Sequence, residues 1–188
     1  MAELTTQRLY LRRWQAGDRA PFAGLNGDRE VMRHFPAPLR RRASDELADR
    51  LEAAIESRGW GLWALEERST GVFIGFTGLA HTDFQASFTP AVEIGWRLAR
   101  SAWGSGYATE AARAAAAFAF DELGLEEIVS FTVQHNARSR AVMHRLGMRH
   151  DRANDFEHPH VHDDRLRRHV LYRLPRSRHR QAAPEQGR

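Results

Sequence analysis

A mixed α/β fold, one sheet with helices on its faces, is the architecture this sequence predicts, and three observations predict it. The strand-like run Val92–Leu98 passes through the glycine turn Trp103-Gly104-Ser105-Gly106 into an alanine-rich helical segment. Ahead of it, two apolar runs flank a polar turn in the manner of a hairpin. Behind it, a further strand leads into a helix opened by Asn136.

Taken in order, Arg8–Trp14 alternates Leu9, Leu11 and Arg13 against Tyr10 and Arg12 and reads as the first strand. Asp18–Leu25 and Arg29–Phe35 read as short helices, the second broken by Pro36-Ala37-Pro38. Ser44 is placed to cap a helix running through Arg58, with Asp45 and Glu46 in its first turn and Leu47, Leu51, Ala54 and Ile55 on one face. Trp60–Leu65 and Val72–Leu79 form the hairpin around the turn Glu66–Gly71. Ala108–Leu123 is a strong helix ended by Gly124. Glu127–Gln134 is a strand, Asn136–Leu146 a helix closed by Gly147, and His169–Leu174 the last strand. The expected organisation is one domain over residues 1–175 and a flexible, Arg-rich tail over 176–188.

A chain of 188 residues, 42% hydrophobic with ten Phe and five Trp, can bury a full core without metal or disulfides. Cys is absent, which excludes thiol catalysis and zinc sites built on thiolates. No apolar run approaches the ~20 residues that span a bilayer, and no signal-peptide core opens the chain. A cytoplasmic protein with no membrane partner is therefore expected. The net charge of +4 comes from arginine alone, clustered at Arg40-Arg41-Arg42 and again over Arg165–Arg180, and suits an anionic cofactor or an acidic partner. Nucleic acid fits less well, because the basic residues are interleaved with Asp and Glu and no recognition motif is present.

The glycine turn is an anion cradle. Gly104 and Gly106 can take positive φ and carry no Cβ, so the backbone can fold around a ligand with its amides and the following helix start aimed at one spot. Neither common phosphate motif is met: Thr109 stands where the dinucleotide fingerprint needs a third glycine, and the nucleotide P-loop needs a lysine that the chain lacks. The segment instead resembles the pyrophosphate loop of the GNAT acyltransferases, Q/R-x-x-G-x-G/A, laid over Trp103, Gly104, Ser105, Gly106, Tyr107 and Ala108. Trp103 replaces the usual Gln or Arg and removes one side-chain contact to the pyrophosphate. The form Trp-Gly-x-Gly-Tyr-Ala-Thr-Glu-Ala resembles the branch of ribosomal-protein N-terminal acetyltransferases (RimJ/RimL-like). A second block, Phe131–Met148, is similar to the family's later strand, its Asn-x-x-Ser helix and the Leu-Gly-Phe that ends it, with Met148 in place of Phe. Arg-Leu-x-Leu-Arg-x-Trp at Arg8–Trp14 agrees, and the resemblance spans about Leu4–Leu174.

The resemblance implies a single-domain GNAT fold, with a splayed, largely antiparallel central sheet flanked by helices, and acetyl-CoA as cosubstrate in the splay between the strands ending near Leu98 and near Gln134. Pantetheine amides would pair with the strand edge at Trp96, Arg97 and Leu98. The pyrophosphate would lie on amides from Gly104 to Thr109, with Ser105, Tyr107 and Ala108 in the loop. Asn136 would lie beside the pantetheine arm as well as capping its helix. The acceptor implied is a primary amine, with a protein or peptide N-terminus as the first candidate and a small amine, amino acid or antibiotic as the alternative. A non-catalytic acyl-CoA-binding module is the reading without turnover. A homodimer is compatible with all of these.

Two residues carry the expected chemistry. Val92, Ile94, Trp96 and Leu98 take the apolar face of their strand, so Glu93 shares the other with Gly95 and Arg97; a carboxylate on this strand serves as general base in related enzymes, and Glu93 is the candidate. Ser139, in the first turn after Asn136, is the candidate acid that protonates the leaving thiolate. No covalent enzyme intermediate is needed. His158, His160 and His162 alternate as a metal site could want, but Pro159 and the surrounding charge favour a loop before the last strand, facing the acceptor, so no metal is expected.

Overall fold

The structure is a computed structural model and describes residues 2–182. The chain divides into two compact units, Met1–Ala80 with Gly95–Ala115, and His81–Ile94 with Ala116–Arg188.

In the first unit, β1 (Leu4–Thr5), β2 (Leu9–Arg12), β3 (Leu62–Glu67) and β4 (Val72–Thr82, up to Ala80) pair antiparallel in sequence order, with Leu9 opposite Glu67 and Trp63 opposite Thr77. The hairpin forms as the sequence indicates, with a bulge between Leu65 and Glu66. Beyond β4 runs the last half of β5 (Ala91–Leu98), held by the Thr77 hydroxyl donating to Gly95 O at 2.8 Å and Ala99 N donating to Ile74 O at 2.9 Å. Helices α1 (Arg19–Gly27) and α2 (Arg41–Arg58) bury Phe22, Leu25 and Ala48 against Ala64, Phe73 and Phe76, with Trp14 and Trp103 at the edge of this core.

Two sequence expectations fail here for identifiable reasons. Arg29–Phe35 forms turns and not a helix. The Asp28 carboxylate accepts from the amides of Glu30 at 2.7 Å and Val31 at 3.3 Å and Met32 N donates to Asp28 O at 2.9 Å, which opens a single turn, but Pro36 disfavours the helical region for Phe35 and the turn goes no further. Ser44 does not cap α2, which begins earlier, at Arg41 after Arg40. Ser44 is fully buried inside the helix, where its hydroxyl accepts from Asn26 Nδ2 at 2.9 Å.

The second unit is built on β6 (Glu127–Val133) and β9 (Arg168–Pro175), antiparallel from Glu127 opposite Pro175 to Val133 opposite His169. The first half of β5 joins β6 in parallel, registered at Glu93 opposite Val129. The two-residue strands β7 (Arg149–His150) and β8 (Phe156–Glu157) pair with β9. Helix α3 (Tyr107–Asp121) starts in the first unit and ends in the second, burying Ala111, Ala112, Ala115, Ala116 and Ala119 along one side. Its alanine-rich sequence provides high helix propensity and a thin face for close packing. Helix α4 (Ala137–Arg145) is capped as expected: the Asn136 side chain accepts from Ser139 N at 3.2 Å. A four-residue helix, α5 (Asp164–Arg167), precedes β9. The first residues of the expected tail form α6 (Arg176–Ala182), and residues 183–188 lie outside the described part.

The architecture is thus a mixed α/β fold with an open, mostly antiparallel sheet and flanking helices. Among the described residues, no helix is long and apolar enough to cross a membrane.

Candidate active site

The glycine loop lies wholly in the first unit. Gly104 and Gly106 have φ of +79° and +81°, the left-handed region that a β-branched residue avoids, and a Cβ on Gly106 would come within 3.6 Å of Arg8 Nη2. The turn delivers the chain to α3, whose first intrahelical bond runs from Glu110 N to Gly106 O at 3.0 Å. The preceding amides, of Tyr107, Ala108 and Thr109, have no acceptor within the helix and sit at the positive end of its dipole.

Several side chains hold this loop in shape, and composition did not single them out. Glu110 accepts from the Thr6 hydroxyl at 2.6 Å, from Arg8 N at 2.9 Å and from Arg8 Nε at 2.7 Å, while Arg8 Nη1 donates to Ser105 O at 3.0 Å. The Arg8 guanidinium lies 4.6 Å from the centre of the Tyr107 ring. The Tyr107 hydroxyl donates to Glu67, which lowers the Glu67 carboxyl and raises the phenol. Trp103 donates from Nε1 to Leu98 O at 2.9 Å, so it anchors the loop to the end of β5. Thr109 is buried, and Ser105 and Gly104 are exposed. Trp96 and Arg97 are half-buried and Leu98 is buried.

The candidate acid and base both lie in the second unit, on opposite faces of β6. Glu93 is level with Val129 in a parallel pair, so the two side chains share a face, together with Phe131 on β6 and Leu171 and His169 on β9. Ala91, on the same face of β5, packs against the cluster of Phe88, Val129 and Leu171. Burial pushes the Glu93 carboxyl up to about 8, and a hydrogen bond with Thr82 pulls in the other direction without cancelling it.

On the other face of β6 sit Ser130 and Thr132, with Tyr172 opposite Ser130 on β9. Helix α4 covers that face: Asn136 Nδ2 donates to the Thr132 hydroxyl at 2.9 Å and Arg140 Nε to the Tyr172 hydroxyl at 3.1 Å. The same Asn136 amide donates to Ser139 Oγ at 3.1 Å. Ser139 is half-buried, and with its oxygen accepting from Asn136 its own proton is left for donation outward.

The three alternating histidines do not form a strand. His158 and His160 lie in a turn after β8, with rings 5.8 Å apart, and His158 stands 5.1 Å from His169 and 4.7 Å from Phe84. Phe84, Phe131 and Phe156 lie against His158, and Phe88 packs behind them on all three rings. Desolvation, then the neighbouring His169 and His160, pull the His158 imidazole down to about 4, and desolvation lowers His169 as well. Both are neutral at pH 7, walls and not charges. Among the described residues no group of three His, Asp or Glu is arranged to hold a metal ion. Thr82 and these rings are site neighbours that local pattern does not reveal, since Phe84, Phe131, Phe156 and His169 come from four separate stretches of chain.

Comparison with known proteins bears on the same features. Residues 8–149 match the acetyltransferase (GNAT) domain, a span that includes the glycine loop, Glu93, Asn136 and Ser139. The chain is similar to protein YkkB of Bacillus subtilis (strain 168), 30% identical over 151 residues, covering 80% of this chain and 87% of that one. It is also similar to FsC-acetyl coenzyme A-N(2)-transacetylase of Aspergillus fumigatus, 38% identical over 104 residues, which are 53% of this chain and 43% of that longer protein. Among solved structures, an acetyltransferase from Agrobacterium tumefaciens superposes with a TM-score of 0.75 at 26% identity, over 93% of this chain and 94% of its own. A glycine turn at the head of α3, preceded by β5 and followed by the Asn136-capped α4, together with a family match over most of the chain, places this protein among the GNAT N-acetyltransferases, enzymes that move an acetyl group from acetyl-CoA to an amine.

Proposed function

We propose that this chain acetylates an α-amino group, with the N-terminus of a protein or peptide as its acceptor, in the manner of the RimJ/RimL-like branch. The observation that carries the reading is the Glu93 carboxyl, held near 8 by desolvation. An α-ammonium group has a pKa of about 7.7–8.0, so passing its proton to Glu93 is close to energetically even. A lysine side chain at ~10.4 would have to give its proton up across more than two pKa units, a penalty of about 3 kcal/mol.

In this mechanism the pyrophosphate of acetyl-CoA rests on the amides from Gly104 to Thr109, and the pantetheine arm pairs with backbone of Trp96, Arg97 and Leu98 and passes Asn136. Glu93 takes the proton of the incoming ammonium, directly or through water. The neutral amine attacks the thioester carbonyl, and strand amides near Trp96 to Leu98 stabilise the oxyanion. As the tetrahedral intermediate collapses, the C–S bond breaks, Ser139 or water protonates the departing sulfur, and the proton that the now cationic nitrogen releases replaces the one so given. The amide product and coenzyme A leave with no covalent enzyme intermediate.

The test is release of coenzyme A from acetyl-CoA with peptides of free N-terminus. Turnover is expected; failure to bind acetyl-CoA would overturn the reading, and binding without turnover on any amine would leave an acyl-CoA-binding module.

A further inference from the structure

Arg97 is a half-buried cation without a counter-ion among the described residues. Its Nη1 donates to the Asn26 side-chain oxygen at 2.7 Å, and Asn26, fully buried, is fixed in turn by its bond to Ser44. The rings of Phe35 and Phe76 lie against the guanidinium, their centres 4.1 Å and 5.3 Å from Cζ. Nε is shielded from solvent and has no hydrogen-bond partner among the described residues. Two other arginines withdrawn from solvent are treated differently: Arg12 is paired with Asp18 and Glu66, and Arg173 with Glu127 and Asp151. For Arg97, desolvation is the one influence on its acidity, pulling it down to about 10, so it stays charged at neutral pH with no carboxylate acting on it.

A buried charge held only by a neutral amide and two aromatic rings is costly unless a partner arrives from outside. The geometry limits what that partner can be. With Nη1 occupied, Nε shielded and the flat faces near the rings, Nη2 is the donor left for an incoming carboxylate, and the unpartnered Nε–H lies on the same in-plane edge, at the spacing of the carboxylate's second oxygen. Phe35, 38% exposed, forms the outer wall and favours an apolar group next to that carboxylate. All of these residues belong to the first unit.

We infer that Arg97, set by Asn26 and flanked by Phe35 and Phe76, is a carboxylate-binding site, and that the carboxylate it takes is carried by the amine acceptor. The site follows from the environment of Arg97 alone; the identity of its ligand as the acceptor rests on the acetyl-transfer reading above. An acceptor peptide with an acidic side chain or a free C-terminus is thus preferred over its neutral counterpart.

The Arg97 Nε–H resonance of the full chain reports the site directly. Titration with sodium phenylacetate at constant ionic strength should shift it saturably, while phenylacetamide, of the same shape without the charge, should not. Asn26→Asp supplies an internal counter-ion and should abolish the response with the reporter still in place; R97Q should lose the accompanying rise in melting temperature. A non-saturable shift, an equal response to phenylacetamide, a shift that survives N26D, or a rise in melting temperature that survives R97Q would overturn the site. Turnover of Ser-Glu-amide against Ser-Gln-amide, and of Ser-Phe against Ser-Phe-amide, then decides whose carboxylate it is. The wild type should favour an acidic member by about tenfold in kcat/KM, and in R97Q that ratio should fall to about one. Phenylacetate binding with no acidic preference in either pair would overturn the acceptor assignment and keep the site. Failure of acetyl-CoA to bind would remove the acetyl-transfer reading, with the phenylacetate titration still decisive for Arg97.

Discussion

Glu93 stands opposite Val129 at the register position that joins β5 to β6 in parallel. That neighbour explains its chemistry: Val129 is buried in an apolar cluster with Phe88 and Leu171, and a carboxylate beside it loses hydration that Thr82 replaces only in part. Its pKa near 8 means that Glu93 is protonated at neutral pH and ionised above about 8. As general base it acts ionised, so kcat/KM is expected to climb up to tenfold per pH unit below about 8 and to level off above it. Glu93→Gln should lower the rate about 10²-fold and remove this limb from the profile. A mutant with the wild-type rate and pH profile would remove Glu93 from the base role.

The same shift has a consequence for stability, with the opposite sign to the usual carboxylate. Between the unfolded pKa of about 4.3 and the folded value near 8, the folded chain holds a proton that the unfolded chain has released, so stability falls as pH rises through that window. Above it the loss is complete. Glu93→Gln, which cannot ionise, should therefore melt higher than the wild type at pH 8.5, with the gap closing toward pH 4.5. Parallel melting curves at both ends of the range check it, and a gap that does not change with pH contradicts the desolvation.

Ser139→Ala removes the hydroxyl that accepts from Asn136 Nδ2 but keeps the backbone amide that Asn136 caps. Folding and acetyl-CoA affinity should hold, while kcat falls by roughly 10- to 100-fold, less than a full general-acid contribution because water can replace the hydroxyl. Asn136→Ala should cost more broadly: about 1 kcal/mol of stability through the lost cap, together with the loss of orientation at Ser139. Unfolding curves and kcat for the two variants separate the effects.

Where the deciding interactions are local, the sequence was a good guide. Alternation located β3, β4 and β5, alanine content located α3, Gly104 and Gly106 marked the turn, and the spacing of Asn136 and Ser139 announced a cap that the structure contains. Long-range partners defeated it. Ser44 has the chemistry of a cap but is taken into the core by Asn26, eighteen residues earlier. Glu93 and Arg97 read from the sequence only as residues on one face of a strand, whereas Thr82 and the Phe88–Val129 cluster determine the environment of one, and Asn26, Phe35 and Phe76 that of the other. Desolvation belongs to the assembled core, and no window of neighbouring residues contains it. His158-Pro159-His160 reads as a loop, as the structure has it, but its contacts to Phe84 and His169 are likewise long-range.

Gly106→Val places a β-branched residue at φ +81°, a conformation it adopts only at a cost of about 1–3 kcal/mol. The chain should relieve that strain by rearranging the turn, which moves the amides of Tyr107 to Thr109 away from a common focus. Acetyl-CoA binding should fall by at least about 10²-fold, with the circular dichroism of a folded protein retained. Calorimetric titration of the folded variant makes the comparison, and an unchanged affinity would take this loop out of the cofactor site.

The acceptor prediction draws on the Glu93 environment and on the relative basicity of amines. At pH 7 an α-amino group of pKa ~7.7–8.0 is neutral in roughly one molecule of six to eleven, and a lysine side chain of pKa ~10.4 in about one of 2,500. A base near 8 accepts the first proton without penalty and the second at a cost of about 3 kcal/mol, so free N-termini should outpace lysine side chains by about 10²-fold in kcat/KM. Paired peptides decide the matter, one with a free N-terminus and no lysine, the other N-terminally blocked with a single lysine, assayed from pH 6.5 to 9. The advantage of the free N-terminus should be greatest below about pH 7.7 and shrink above it, where the α-amine is already largely neutral while the neutral fraction of lysine keeps rising. Efficient modification of the blocked peptide at pH 7 would overturn the α-amine assignment and turn attention to side-chain or small-molecule amines.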